Sequence, residues 1–276
     1  MSLVSEAKRW STYLIAEAAA THDGDPEKAL RLVNLAAEIG TNAVKFQWLS
    51  SPERLAERRQ APEYLDAYRT IAFPREWFPV LVEACKRNGI DFMCTSYLPE
   101  DVATVAEYVA KFKISSFEAT DVSFVALHGC WPRIPLVISA GMVADVGPAL
   151  WAYDSVRGSE WFGQNTPYIL ACTSAYPCPG NEAGLARIIR SPADQCRGYS
   201  DHTRHPWTGA MAVCVGAKII EFHVRLEDTD PKNADYAVAR YPREAVEYVR
   251  NVRTAEKMMG SGASAVMPSE EKNMRY

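Results

Sequence analysis

Two short stretches late in the chain carry residues able to bind a metal ion or to move protons. The stretch 197–203 contains Ser200 and His202. About one strand–helix–strand crossover later come Glu221 and His223. If each stretch ends a β-strand, alternate residues share a face, so each pair points the same way. Two imidazoles and a carboxylate would then meet in one pocket, although a single histidine beside an apolar strand is more often structural.

The histidine pair would leave most positions of an octahedral ion to water and substrate. This suits Mn²⁺, Mg²⁺ or another exchangeable divalent ion acting as a Lewis acid better than a closed structural zinc site. Asp201 and Glu221 are candidates for residues around the ion or for a general acid. For Asp201 the alternative is a solvated loop carboxylate.

Two lysines lie within predicted strands, where an ammonium group is seldom tolerated without a partner. Lys45 and Lys113 have two explanations. One is a salt bridge to Glu17 or Glu118 inside the fold, and the other is a small bound dianion. The second is favoured because four strands end on hydroxyl residues, which with two ammonium groups suit a phosphate or carboxylate. These hydroxyl residues are Thr95, Ser116, Ser139 and Ser200.

Apolar runs that alternate with helical patterns position these residues. Strands are predicted at 13–18, 43–47, 91–95, 111–115, 135–139 and 168–172, with two more around 197–203 and 221–223. Helices are predicted at 27–39, 75–88, 207–216 and 242–259. Nearly every strand ends on a polar residue, as expected at the C-terminal mouth of a barrel. The sequence therefore predicts an α/β fold, a single (β/α)₈ TIM barrel. A doubly wound sheet is the alternative, weakened because no Gly-rich turn follows the first strand.

The connection at 49–75 is long, charged and aromatic. Connections of this length in a compact domain usually form a lid or hold short helices of their own. We favour short helices and keep a lid as the alternative.

The composition is that of an ordinary folded protein. The 276 residues, 48% hydrophobic and 23% charged, suit one barrel, and a net charge of −4 gives no reason to expect nucleic acid. Seven scattered cysteines without a CxxC pair indicate neither a disulfide framework nor a thiolate zinc site. Residues 1–10 lack the apolar core of a signal peptide, and no run of about 18 apolar residues could span a membrane. We predict a soluble, cytoplasmic protein.

The same residues resemble a known family, the sialic acid synthases, barrel enzymes that condense phosphoenolpyruvate to make nonulosonic acids. The resemblance runs through AEAAATHDGD, AVKFQ, FMCTS, FKISSFE, ISAGM, CTSAYP, GYSDHT and IIEFH. It implies a phosphoenolpyruvate pocket formed by Lys45, Thr95, Lys113, Ser116, Ser139, Ser174 and Ser200. It implies metal binding by His202 and His223. It implies a sugar side formed by Glu17, Gln47, Tyr176, Glu221 and Asp235. Glu118 resembles the essential carboxylate near the condensing carbons.

Several positions depart from the family pattern, namely Phe117 for Gly, Ser174 for Asn, Phe222 for Lys, Leu226-Glu227-Asp228 for Leu-Asp-Arg, and a loop to Asp235 that is one residue longer. We expect them to cluster on the acceptor side of the pocket, which makes the donor the firmer prediction. Family members also continue into an antifreeze-like domain that reaches across a dimer. This chain ends at Tyr276. We therefore expect 1–276 to be the barrel alone and to form a homodimer, with 266–276 resembling the start of the linker.

The leading hypothesis is a metal-dependent condensation of phosphoenolpyruvate with an aminosugar aldehyde, N-acetylmannosamine or a related 6-deoxy diamino hexose. The products are a nonulosonic acid and phosphate, with Glu118, Glu221 and Glu17 as the catalytic acids. Two alternatives remain. One is a Schiff-base aldolase using Lys113 or Lys45. The other is a catalytically weakened barrel that binds a sugar acid, supported by the expected cluster of altered residues.

Overall fold

A computed structural model of the chain describes residues 12–143, 145–161, 166–190, 196–260, 266–267 and 269–274. Eight parallel strands form a closed barrel in chain order, and the last strand pairs with the first. The strands are β1 Tyr13–Ala19, β2 Ala43–Trp48, β3 Asp91–Ser96, β4 Lys111–Ile114, β5 Leu136–Ser139, β6 Tyr168–Ala171, β7 Cys196–Asp201 and β8 Ile219–His223. The predicted TIM barrel is confirmed.

The helices lie outside the strands, as the apolar faces of the predicted helices require. They are α1 Pro26–Glu38, α2 Pro52–Arg59, α3 Leu65–Ile71, α4 Trp77–Asn88, α5 Val102–Ala106, α6 Val122–Leu127, α7 Gly147–Arg157, α8 Ala186–Arg190, α9 Thr208–Cys214 and α10 Pro242–Met259. Predicted helix bounds agree with these to within a few residues. The 49–75 connection contains α2 and α3, which confirms the prediction that it holds short helices.

Helix α2 shows why this connection is ordered. The Ser51 hydroxyl caps its first turn by accepting from the Arg54 backbone N–H at 3.2 Å, and Pro52 occupies the first turn. Gln60 then adopts a left-handed conformation, with φ of 52°, which ends the helix. The two arginines before Gln60 are thereby placed at the barrel mouth.

The strands have one apolar layer on each side: an outer layer against the helices and an inner layer inside the barrel. On β2, Val44, Phe46 and Trp48 pack outward with the helices. Ala43 faces inward and joins an apolar layer that fills the barrel, with Ile15, Met93, Val137, Leu170 and Ile219. The next inward position on β2 is Lys45, which is in register with Glu17 on β1. The inner layer therefore forms a dry base on which the charged side chains rest.

Two further predictions concern the chain outside the barrel wall. Within the described ranges, no helix is both long and apolar enough to cross a bilayer. Among the cysteine side chains that the structure describes, six have free thiols. The stretch 1–10, predicted not to be a signal peptide, lies outside the described residues, and 266–276 is described only in part.

Candidate active site

A cavity of about 930 Å³ opens at the mouth of the barrel. Most of the predicted site residues line it, namely Glu17, Lys45, Gln47, Thr95, Lys113, Ser116, Glu118, Ser139, Tyr176, Ser200, His202, Glu221, His223 and Asp235. The exceptions are Asp201, described below, and Ser174. The Ser174 hydroxyl lies behind Gly141, only 2.5 Å from where a Cβ on that glycine would stand. The barrel thus gathers residues spread over more than 200 positions of the chain into one cavity.

Four buried charged side chains form the cavity floor. Lys45 pairs closely with Glu17 and lies 3.6 Å from Glu221. Glu221 also lies 3.6 Å from Lys113. The salt bridge considered between Lys45 and Glu17 is therefore present. The one considered between Lys113 and Glu118 is not, because Lys113 faces Glu221 and Glu118 pairs with Arg59 instead.

The two floor carboxyl groups have pKa values pushed in opposite directions. Burial raises the pKa of Glu17 to about 7, although Lys45 opposes the rise. Burial would also raise the pKa of Glu221, but Lys113 and Lys45 outweigh it and bring the value to about 2. Near neutral pH, one group can carry a proton while the other stays ionised. Such a pair suits acid–base chemistry.

Hydroxyl groups surround the two ammonium groups. Lys45 donates to Thr95 Oγ1 at 3.0 Å, and Lys113 donates to Ser139 Oγ at 2.8 Å. Ser200 donates to Glu221 at 2.9 Å. The hydroxyl of Ser116, just after β4, accepts from the Gly141 backbone N–H at 3.0 Å. Strand ends on several sides of the barrel therefore present hydroxyls and ammonium groups to the same space.

The two predicted metal ligands lie side by side, with ring centres 5.6 Å apart. His202 Nδ1 donates to the Thr173 carbonyl oxygen at 2.7 Å, which leaves the Nε2 lone pair available. His223 Nδ1 is buried without a hydrogen-bond partner, 3.5 Å from an Asp235 oxygen. Burial lowers the pKa of both imidazoles, most strongly for His223. Neutral imidazole is the form that binds metals.

These two histidines fit a divalent ion as a pair. Across the described ranges, no group of three or more His, Cys, Asp or Glu side chains is arranged to hold a metal. The unpartnered Nδ1 of His223 and the Nε2 of His202, which lies 3.3 Å from the Ser200 hydroxyl, are the donor atoms that such an ion would satisfy. The protein would then supply two ligands and leave the others to water or substrate.

Asp201 follows Ser200 on β7 but points away from the cavity. It is fully buried and accepts from Arg240 at 3.0 Å and from Tyr248 at 2.8 Å. Its other oxygen accepts from the Thr203 backbone N–H at 2.8 Å. The solvated-loop interpretation is wrong, and this geometry does not support the general-acid interpretation. Asp201 instead fixes the turn that carries the neighbouring histidine.

Three of the departures from the family pattern, Phe117, Phe222 and Ser174, do not form one cluster. Phe117 is 58% exposed and lines the cavity. Phe222 lies in the outer core, with its ring centre 4.6 Å from that of Tyr248. Ser174 does not line the cavity. The expected acceptor-side cluster is therefore wrong, and the weakened-barrel alternative loses the observation that supported it.

Sequence reasoning assigned no role to Arg58 and Arg59, which also line the cavity. Both lie at the end of α2, in the connection noted for its charge and aromatic content. That composition was the feature of the sequence that could have indicated a role for these arginines. It does not reveal which acidic residues they pair with. The same wall includes Tyr64, Tyr68 and Tyr97.

The fold and the site together define a class: a TIM-barrel enzyme with two buried lysines on its floor and a pair of imidazoles at the strand ends. Residues 32–264 match the NeuB family model, and the chain belongs to this family. Its members are synthases that form nonulosonic acids by phosphoenolpyruvate-dependent C–C bond formation and that generally use a divalent metal. The resemblance noted in the sequence is confirmed.

Individual relatives show how far the similarity extends. The chain is 31% identical to the N,N'-diacetyllegionaminic acid synthase of Legionella pneumophila, over 91% of this chain and 74% of that protein. It is 29% identical to the N-acetylneuraminate-9-phosphate synthase of Mus musculus, over 94% of this chain and 74% of the relative. The crystal structure of the N-acetylneuraminic acid synthetase from Leptospira borgpetersenii, in complex with citrate, has a TM-score of 0.84 at 26% identity. That match covers 96% of this chain and 91% of the other.

Proposed function

We propose that the chain condenses phosphoenolpyruvate with the open-chain aldehyde of N-acetylmannosamine or a related 6-deoxy diamino hexose. The products are a nonulosonic acid and phosphate. The observation that carries this proposal is the floor of two buried ammonium groups beside two neutral imidazoles. A cavity of about 930 Å³ is within the range that holds small organic ligands, so donor and acceptor can lie side by side.

The floor supports donor binding through its charge. With Glu17 protonated, two lysines face one carboxylate, and the floor carries a net positive charge that attracts a dianion. The hydroxyls of Thr95 and Ser139, which now accept from the lysines, lie where they can also bind phosphate or carboxylate oxygens. We therefore place the phosphate and carboxylate of phosphoenolpyruvate on the floor.

The two imidazoles support Mn²⁺ or another divalent ion. His202 and His223 would hold it through the Nε2 and Nδ1 atoms that the protein leaves available. When bound, such an ion supplies Lewis-acid polarisation of the acceptor aldehyde. The Thr173 carbonyl keeps the His202 ring in the tautomer that this binding requires.

The carboxyl groups support the remaining steps. C3 of the enolpyruvate attacks the aldehyde carbon, a water molecule adds to C2, and the C2–O bond breaks to release phosphate. Glu17, with a pKa of about 7, can give its proton to the aldehyde oxygen, which becomes the new hydroxyl group; of the two protons of the added water, one leaves with phosphate and the other restores Glu17. In this proposal Glu118 acts near the condensing carbons, and Asp235 and Tyr176, which line the same cavity, contact the acceptor. The protein mainly orients the reactants and stabilises charge.

The Schiff-base alternative requires an uncharged lysine. Burial lowers the pKa of Lys113, which is the one feature in its favour. Glu221 and Ser139 hold the same group as an ammonium ion, and the phosphoenolpyruvate chemistry of the family gives it no covalent task. We expect borohydride to trap no adduct on either floor lysine.

The decisive experiment is incubation with phosphoenolpyruvate, Mn²⁺ and a panel of aldoses, with phosphate release and product mass as readouts. We expect phosphate and a nonulosonic acid to form in equal amounts with an N-acetylated aminosugar. With ¹⁸O in the bridging position of phosphoenolpyruvate, the label should leave with phosphate. Label retained in the keto acid, or no phosphate released with any aldose, would overturn the proposal. The cytoplasmic location, the homodimer and the single domain over 1–276 stay predictions.

A further inference from the structure

The guanidinium group of Arg59 is held in one orientation by three aromatic rings and a carboxylate. Its centre lies 5.5 Å from the Tyr68 ring centre, 5.0 Å from that of Tyr97 and 4.7 Å from that of Phe117. Its Nε donates to Glu118 Oε1 at 3.0 Å, and its Nη2 contacts the same oxygen. Stacked rings limit the side-chain freedom that a long cation otherwise keeps. Arg59 is therefore a rigid donor to Glu118.

Glu118 has both oxygens engaged by the protein. Oε1 accepts from Arg59, while Oε2 accepts from the Ser115 hydroxyl. The residue is 3% exposed, and its carboxylate borders the cavity. A carboxylate held at both oxygens cannot rotate freely about its last bond. Without Arg59, only one of these restraints would remain.

A second link joins the same two segments. The neighbouring Arg58 donates to Asp121 at 2.5 Å, and Asp121 caps helix α6 by accepting from the Phe124 backbone N–H at 2.9 Å. This pair ties α2 to the loop after β4 without touching Glu118. Substituting Arg58 therefore removes a contact that holds the loop after β4, whereas substituting Arg59 removes the contact that orients Glu118.

We propose that Arg59 is a positioning residue that sets the orientation of the Glu118 carboxylate toward the reacting carbons. This inference rests on the proposed function, in which Glu118 acts near those carbons. Arg59 belongs to the connection between β2 and β3, whereas Glu118 follows β4. One segment therefore supplies the acid, and a segment that is distant in the chain aims it.

The kinetic test compares Arg59→Gln with Arg58→Gln and with Arg69→Gln. Arg69 lies on α3, where its exposed side chain pairs with Glu53 at 3.1 Å, and it serves as the control for loss of a surface arginine. Arg59→Gln should lower kcat about 100-fold, the size expected for a catalytic group displaced by about 1 Å. The KM for phosphoenolpyruvate should change little, because Arg59 does not touch the floor. Arg59→Lys should recover part of kcat.

A double-mutant cycle distinguishes positioning from general damage. If Arg59 acts through Glu118, adding Arg59→Gln to Glu118→Gln should cost little further activity. Losses that simply multiply would overturn the proposal, and so would an Arg58→Gln variant as impaired as Arg59→Gln. A Glu118→Gln variant with full turnover would also overturn it, because the acid that Arg59 aims would then have no role.

A labelling experiment tests the pair without turnover. Carbodiimide coupling of an amine to Glu118, measured by peptide mass against the exposed Glu247 on α10, should rise several-fold in Arg59→Gln and stay unchanged in Arg69→Gln. Unchanged labelling in Arg59→Gln would show that the pair does not hold the acid. If the wild-type protein released no phosphate, the proposed reaction would fail and the positioning role would fail with it. Raised labelling in Arg59→Gln would then show that the ion pair itself holds Glu118.

Discussion

Replacing Lys45 by methionine should destabilise the folded protein, because two acids would then face a single lysine. Lys45 is 3% exposed, pairs with Glu17 and lies 3.6 Å from Glu221. Removing one partner of a buried ion pair costs about 3–5 kcal/mol. At roughly 2–4 °C per kcal/mol for a chain of this size, the melting temperature should fall by about 6–20 °C.

The loss should depend on pH in a defined direction. In the folded protein the pKa of Glu17 is raised to about 7 from 4.5. Stability that comes from its protonated form is complete below 4.5 and is lost as pH rises through 7. Lys45 lowers this pKa, so its removal raises it further. The extra destabilisation of Lys45→Met should therefore grow above pH 7, by up to about 1.4 kcal/mol per pH unit.

A double variant separates stability from donor binding. In Lys45→Met/Glu17→Gln the acid that would have to ionise without Lys45 at high pH is gone, and the new amide oxygen can still accept from Gln47, which in the wild-type protein donates to Glu17 at 3.0 Å. Stability should largely return, while phosphoenolpyruvate binding should stay weak. Urea unfolding at pH 6 and pH 8, together with calorimetric titration, measures both properties, and the exposed Lys257→Met is the control.

Two results would refute this reasoning. Wild-type donor affinity in the double variant would show that Lys45 serves only the fold. Wild-type stability of the single variant at pH 8 would show that the buried pair does not contribute as argued.

Three other predictions concern the histidine pair, the buried His128 and the hydrogen bond from Tyr248 to Asp201. His202→Ala and His223→Ala should each abolish turnover and weaken Mn²⁺ binding in calorimetry with an unchanged circular dichroism spectrum; full activity after exhaustive chelation would contradict this. Burial lowers the pKa of His128 to about 4 from 6.5, so stability should fall as pH drops through that interval. In His128→Leu, the fall between pH 7 and pH 5, measured in urea, should be smaller. Tyr248→Phe removes a donor to Asp201 and should cost about 1–3 kcal/mol of unfolding free energy at unchanged KM for phosphoenolpyruvate.

The cavity floor was predictable because strands have a period of two. On β2, the alternation of Lys45 and Gln47 with Val44 and Phe46 assigns the polar pair to the inside, and the structure agrees. Closure of the barrel then places the end of β8 beside β1, where Glu17 is in register with His223. Local periodicity and one topological rule were sufficient for these contacts.

The environment of Asp201 was not predictable in this way. Its partners Arg240 and Tyr248 lie 39 and 47 residues further along the chain, the first before α10 and the second within it. The sequence around Asp201 shows a polar residue at a strand end, which is equally typical of a cavity residue. Which face it takes follows from the pairing of Ser200 with Glu221, and that places Asp201 among the helices.

The contacts in the cavity walls, unlike those in its floor, could not be predicted from local sequence patterns either. Arg58 and Arg59 meet Asp121 and Glu118 across 63 and 59 residues, between two connections whose packing no local pattern encodes. In the proposed reaction the floor binds the donor, while the walls surround the acceptor. Relatives at about 30% identity carry names for different acids. With such a division, changes in the loops that follow the strands could alter acceptor preference while the strand ends preserve the donor chemistry. The reason is that an altered loop need not disturb the strand register that holds Lys45 and Lys113 together.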